Sequence, residues 1–219
     1  MRPPVRLLLL GLLLAVLVTG GVVVAGTLSA DDETMAPEEE EPFATTALED
    51  FDTTGLEVRR TSFCPDVDPR QVEAALGAAA ETERAWDNGD RVKVAEGVRD
   101  VVHEYGCAYS AGDTAARAWV FAPPVDARRA AQLMKAGQQG GSGQCSGLSG
   151  SEFGEPSLSQ VCQQAGRNTA TVAGLIGDAW LTCQLEVPDP VDDDELADRV
   201  GRWCVGVVLA ASAEETAEG

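Results

Sequence analysis

The stretch His103–Pro124, HEYGCAYSAGDTAARAWVFAPP, is the most strand-like part of the chain and has a cysteine at its centre. Val101, His103, Tyr105, Cys107 and Tyr109 fall on one face of a first strand. Trp119 and Phe121 share a face of a second, because successive strand side chains point to opposite sides. Ala111 to Thr114, Ala-Gly-Asp-Thr, supplies residues that tolerate a tight reversal. A half-buried hairpin with a cysteine in its middle predicts a sheet to which other segments are tied by disulfides.

Six cysteines are present, Cys64, Cys107, Cys145, Cys162, Cys183 and Cys204, all beyond the N-terminal quarter. None forms a Cys-x-x-Cys pair, so zinc-ribbon and thioredoxin-type readings fail. An even, widely spaced set behind an export-type segment predicts three disulfides in an oxidising compartment. Spacing alone does not choose the connectivity, but facing helps. Cys183 lies on the apolar side of its strand and Cys204 on the apolar side of the helix that follows, so these two can meet across the core. Cys145 with Cys162 would close a local loop, which leaves Cys64 to tie the start of the domain to Cys107. Each such bridge contributes roughly 2–4 kcal/mol when unstrained.

The chain opens with Met1–Arg6, which carries Arg2 and Arg6 and no acid, and continues into Leu7–Gly26, which carries no charge at all. At about 1.5 Å per helical residue this run is long enough to cross a hydrocarbon core of ~30 Å. The basic flank assigns a cytoplasmic tip to residues 1–6, with the remainder outside. A cleavable signal peptide, with Val23-x-Ala25 as its small-residue site and a secreted product, is the rival. Its apolar region normally spans only ~7–15 residues, so an uncleaved single-pass anchor is the better reading. No cysteine stands near the end of the run, so lipid attachment there is not expected.

Residues 27–57 turn acidic and low in bulky side chains, with the run Glu38–Glu41 and no Lys or Arg. Like charges repel, which predicts an extended, disordered spacer holding a disulfide-bonded domain, residues 58–212, off the membrane. The acidic tail 213–219 is expected to fray. With 219 residues and 44% hydrophobic content there is material for one domain of ordinary size. The formal charge of −20 excludes a nucleic-acid binder, which needs excess Lys and Arg to displace phosphate counterions, and argues against docking on anionic lipid.

Within the domain, Asp68-Pro69 opens a short helix with Asp at the cap and Pro in the first turn, Val72, Ala75 and Leu76 face inward, and Gly77 ends it. Trp86–Asp90 is a turn, and Arg91–Glu96 reads as a strand leading through Gly97 to the one that holds Cys107. After Pro123-Pro124, Val125–Ala136 reads as helix. Gln138–Gly154, rich in Gly, Ser and Gln, reads as a loop. Pro156 reads as the start of a second short helix, with Leu158, Val161, Cys162 and Ala165 on one side. Thr169–Ile176, a Gly177-Asp178 turn and Ala179–Val187 form a second hairpin. In its last strand the odd positions are apolar and Thr182, Gln184 and Glu186 are polar, predicting one buried face. Asp192 to Glu195 mark a helix N-terminus, and Leu196, Val200, Trp203, Cys204, Val207, Val208 and Ala211 make its apolar stripe. The expectation is an α+β fold, one antiparallel sheet with helices packed on one face, preceded by one transmembrane helix. The order helix, strands, helix occurs around Asp68–Ala136 and again around Pro156–Ala211, which suggests two α-β-β-α-like repeats.

The segments Phe63-Cys64-Pro65-Asp66-Val67-Asp68-Pro69, Ala75-Leu76-Gly77, Glu104-Tyr105-Gly106-Cys107-Ala108-Tyr109, Ala118-Trp119-Val120-Phe121 and Trp180-Leu181-Thr182-Cys183 resemble the uncharacterised cysteine-paired envelope domains of high-GC actinobacteria, many of them lipoproteins. The similarity runs from about Arg60 to Ser212. It implies an exported, anchored α+β domain, with the apolar segment here standing in for a lipid-bearing cysteine.

Catalytic sets are not assembled by these residues. No Gly-x-Ser-x-Gly occurs, although Ser142, Ser146 and Ser149 lie in Gly-rich surroundings. The single histidine, His103, lies on the inward side of its strand, which favours a core or boundary role over a general base. His103-Glu104 is followed by Cys107 where a zincin needs histidine, and transition-metal sites are poorly supported. Asp189–Glu195 lacks the spaced carboxylates and central Gly of an EF-hand loop, and helix capping accounts for its acids, as it does for Asp66 and Asp68. Gly137–Gly143 lacks the Lys-Ser/Thr of a phosphate loop. Trp86, Trp119, Trp180 and Trp203 are available to line an apolar cleft, with core packing the simpler use for the last three. The expected function is therefore non-enzymatic: a membrane-anchored extracytoplasmic domain that binds an envelope protein or a small ligand, without a cofactor or metal. The alternatives are an envelope hydrolase with an unrecognised active site and a purely structural envelope protein.

Overall fold

The computed structural model describes residues 43, 45–140, 143–148 and 152–212. Among these residues, seven strands form one antiparallel sheet and two more form a separate ribbon, with three α-helices around them. In chain order the elements are α1 (Pro69–Leu76), β1 (Thr82–Trp86), β2 (Arg91–Ala95), β3 (Val98–Val101), β4 (Glu104–Ala111), β5 (Thr114–Phe121), α2 (Ala127–Gly140), β6 (Gln144–Gly147), β7 (Ser157–Gln164), β8 (Arg167–Ile176), β9 (Ala179–Pro188) and α3 (Asp193–Ser212). The sheet order is β1-β4-β5-β9-β8-β7-β6, and β2 pairs with β3. The α+β class and the antiparallel sheet agree with the sequence. The expected span Leu7–Gly26 and the tail 213–219 lie outside the described residues, and no described helix is long and apolar enough to cross a membrane.

The hairpin β4–β5 forms as its alternation requires, with Ala111 opposite Thr114 around Gly112-Asp113 and Cys107 opposite Ala118. β8 and β9 make the second hairpin, from Ile176↔Ala179 to Arg167↔Pro188. β9 also pairs with β5, Ala118 opposite Cys183, so the two hairpins join at the centre of one sheet. On one face, Cys107, Tyr109, Ala118, Val120, Val172, Leu181 and Leu185 pack against α1 and α3 in the main core. Helix α1 starts where expected: Asp68 accepts from the Arg70 amide at 2.8 Å, Pro69 occupies the first turn, and Gly77 ends it in the left-handed region. Helix α3 starts with the Asp192 carboxylate accepting from the amides of Asp194 and Glu195 at 3.0 and 3.2 Å. The two helices are tied by Gln71 Nε2 donating to the Arg202 carbonyl at 2.9 Å and Arg199 Nε donating to the Ala75 carbonyl at 2.7 Å. Trp203 of α3 is fully buried, stands edge-on to Tyr109 with centroids 6.0 Å apart, and donates its indole N–H to the Arg117 carbonyl at 3.1 Å.

Several expectations are corrected. Helices lie on both faces: α2 packs on the other side of the sheet through Ala130, Leu133 and Met134, with Val125 just before it, against Phe121, Leu158, Leu175 and Trp180. The two halves therefore do not repeat as α-β-β-α units, since α1 precedes five strands on one face and α2 precedes four on the other. β9 is consequently buried on both faces along its first half, Trp180 and Thr182 included. Pro156 does not start a helix: Ser157–Gln164 is β7, paired with both β6 and β8. The predicted loop 138–154 instead contributes the last residues of α2 and the edge strand β6. β1 was not expected; it is an exposed edge strand whose five residues show no apolar alternation to read. β2 pairs with β3 in the ribbon and takes no place in the main sheet. The domain also begins earlier than Val58, because Leu48, inside the stretch read as spacer, is buried against α3.

If Trp203 pins α3 to the sheet, Trp203→Ala should lower unfolding stability by about 3–5 kcal/mol, the usual cost of emptying a large aromatic site. Leu209→Ala, on the exposed side of the same helix, should stay within about 0.5 kcal/mol. Urea unfolding of both variants reads the difference.

Candidate functional site

α2 covers only part of its face of the sheet. What it leaves open is a groove of about 480 Å³, floored by β5, β9, β8 and β7 and walled by α2. That volume lies within the range of ligand pockets, about 300–1,000 Å³. Because β-partners stand side by side, the floor is built in rows across the strands. One row places Arg117 beside Gln184, Gln184 beside Thr171, and Thr171 beside Gln160. The next places Trp119 beside Thr182, Thr182 beside Ala173, and Ala173 beside Leu158. Beyond these come Phe121 and Trp180, under Leu133 of the helix. On the other side Glu186 and Cys162 flank Thr169. The floor thus grades from polar to aromatic over the width of two rows.

Helix α2 sits close to this floor because Gly137 faces Leu158: a Cβ there would come within 2.5 Å of the Leu158 Cδ2. The same residue's carbonyl accepts from Gln160 Nε2 at 3.1 Å, linking helix to sheet by a polar contact. Gln184 Nε2 donates to Thr171 Oγ1 at 3.2 Å. Arg167 pairs with Glu186 and also donates to the Asp113 carbonyl, so the one acid in the floor is already neutralised. Arg117 has no ion pair and no side-chain hydrogen bond among the described residues.

The cysteines fall as follows. Cys64–Cys107 and Cys145–Cys162 are disulfides, the pairs expected, with Cα separations of 5.7 and 4.0 Å. The first anchors the entry to α1 beneath β4. The second joins β6 to β7 at directly opposed positions and stands at the edge of the groove. Cys183 and Cys204 do meet across the core as facing predicted, but they are free thiols in this structure, both buried. Burial pushes the Cys204 thiol well up, reinforced by its hydrogen bond to Cys183.

The remaining candidates lie apart from one another. His103 is exposed and just precedes β4, which corrects its inward placement: the ladder ends at Glu104↔Phe121, so alternation counted from Cys107 stops governing which way the chain faces. Asp189 accepts from Gln163 and Asn168, both at 2.9 Å, while Asp192 caps α3, so these acids serve as hydrogen-bond acceptors. Among the described residues no group of three or more His, Cys, Asp or Glu is placed to hold a metal ion. Ser146 is exposed in β6; Ser142 and Ser149 lie outside the described residues. Of the tryptophans, Trp203 is core, Trp180 is buried beside α2, and Trp119 is half-buried in the groove floor, against its expected core role. Trp86 donates to Glu104 at 3.1 Å, outside the groove. No sequence signal marked Gln160, Thr171 or Gln184 as site residues; the usable clue was Trp180 on the same strand face as the polar Thr182, Gln184 and Glu186.

No protein-family model matches the chain, and no curated protein matches it.

Two predictions follow from these groups. In the native protein a thiol reagent should find Cys183 and Cys204 inaccessible, and unfolding without reductant should release two reactive thiols; a count of zero would mean the pair closes as a third disulfide. Burial raises the Glu104 carboxyl, opposed by its hydrogen bond from Trp86. Its contribution to stability is thus full below the ordinary carboxylate range, about pH 4, and is lost as pH rises through the raised value. Glu104→Gln, which keeps an acceptor for Trp86 and cannot ionise, should be more stable than the parent at pH 7, with the gap closing below about pH 4. Urea midpoints at the two pH values test this.

Proposed function

We propose that this protein is a non-enzymatic extracytoplasmic binding domain, held at the cell membrane by Leu7–Gly26, that takes its ligand in the groove between α2 and the sheet. The observation that carries the reading is the groove floor. Arg117, exposed and with no ion pair or side-chain hydrogen bond among the described residues, stands in a floor that also holds two tryptophans, Trp119 half-buried and Trp180 buried. Few polar groups converging on an aromatic-lined concavity is the usual composition of a small-molecule site. Placement outside the membrane is supported by the uncharged segment, its basic flank and the disulfides, which persist in oxidising compartments. Kinship with the actinobacterial cysteine-paired envelope domains is part of the same proposal.

Native mass spectrometry of the full-length protein from an export-competent host tests the binding reading. An added mass that denaturation releases, and that Trp119→Ala lacks, is expected; bare protein in both would remove the groove as a site of carried ligand. His103→Gln should leave the added mass unchanged. Cell fractionation tests the anchor: the intact chain should remain with the membrane, with its domain open to external protease. A soluble product starting at or just after Gly26 would overturn it.

A further inference from the structure

Resting on the groove as the binding site, we propose that its ligand is a neutral saccharide lying across the row Arg117-Gln184-Thr171-Gln160 with an apolar ring face against Trp119. Charge narrows the class first. The chain carries a net −20, and in the groove floor Arg117 is the one cation without a carboxylate partner among the described residues, Arg167 being engaged by Glu186. A polyanion would meet a single positive group inside a strongly negative molecule. A cation would meet a carboxylate already taken.

Hydrogen-bond type narrows it further. The amide nitrogens of Gln160 and Gln184 each give one N–H, to the Gly137 carbonyl and the Thr171 hydroxyl, so each side chain keeps one N–H to donate and a carbonyl oxygen to accept. Arg117 offers donors only. Strands stand about 4.8 Å apart, so this row offers both donors and acceptors across one short span. Ligands bearing acceptors alone, such as phosphates, would leave the glutamine oxygens unmet, whereas a hydroxyl both donates and accepts and can serve every position. The next row supplies the other half of the requirement. Trp119 presents a large apolar surface beside the polar row, which suits the C–H face of a sugar ring whose edges carry its hydroxyls. An acyl chain filling the same space would strip water from the polar row without replacing its hydrogen bonds, at a cost. A peptide would find side chains here instead of the open backbone edge that strand addition needs.

The test uses the full-length protein in a sugar-free zwitterionic detergent. It is titrated with trisaccharides of glucose, mannose, galactose and arabinose, and separately with a fluorescent fatty acid. Saturation-transfer difference NMR and calorimetry report binding. At least one neutral trisaccharide should receive saturation at its ring C–H protons. Its affinity should fall about tenfold or more in Trp119→Ala and in Gln184→Leu, and stay unchanged in His103→Gln. Trp119→Phe, which keeps an aromatic face, should lose less than Trp119→Ala and guards against a folding defect. Binding of the fatty acid but no sugar, lost in Trp119→Ala, would overturn the saccharide class and leave the groove as a binding site. Binding of neither probe, with variants indistinguishable from the parent, would overturn both. Sugar binding unaffected by Trp119→Ala and Gln184→Leu would place the saccharide elsewhere and overturn this assignment.

Discussion

Strand β9 is covered from both sides, and the rest of the structure is arranged by that requirement. Leu181, Cys183 and Leu185 sit beneath α3 on one face, while on the other Trp180 sits beneath α2 and Thr182 is buried in the floor beside it. A central strand whose two faces are both apolar along part of its length cannot lie in a two-layer sandwich. It needs a layer of helix on each side, and the two hairpins meet at β5–β9 so that both helices can reach it. Trp203 then couples the layers, touching Tyr109 and bonding to the backbone of β5.

The two coverings are unequal, and function is proposed to follow from the difference. α3 is 20 residues long and, with α1, buries the main core on its face. α2 brings only a narrow apolar side, so it seals the rows near Phe121 and Trp180 and stops short of Arg117 and Gln184. The boundary is sharp because the polar rows begin one residue pair further along each strand. The Cys145–Cys162 bridge holds the far margin, where β6 has little apolar surface of its own with which to stay in place.

Much of this was legible in the sequence where local chemistry and burial agree. Asp68-Pro69 and Gly77 bracket α1, Gly112-Asp113 and Gly177-Asp178 turn the hairpins, and the α3 stripe from Leu196 to Ala211 is the buried face. The failures share one physical origin. β7 alternates Leu158, Gln160, Cys162 and Gln164 on the groove side, so a strand lining a half-wet face shows no period of two, while Leu158, Val161 and Cys162 happen to match a helix. β6 is a strand because a disulfide and one neighbour make it so, which composition does not reveal. β9 looked single-faced because Thr182 and Gln184 are polar, although Thr182 is buried and Gln184 half-buried in the groove beside α2. The groove was hidden by its own chemistry: polar residues lining a half-covered face read like residues facing open water.

The measurement that bears most directly on the unequal covering is the solvent exposure of individual indoles. With the tryptophans labelled with nitrogen-15 and assigned by substitution, a soluble paramagnetic agent should broaden the indole signal of Trp119 strongly and leave that of Trp203 sharp. If Trp119 were protected to the same degree as Trp203, α2 would close its face of the sheet as α3 does, and there would be no groove for a ligand to enter.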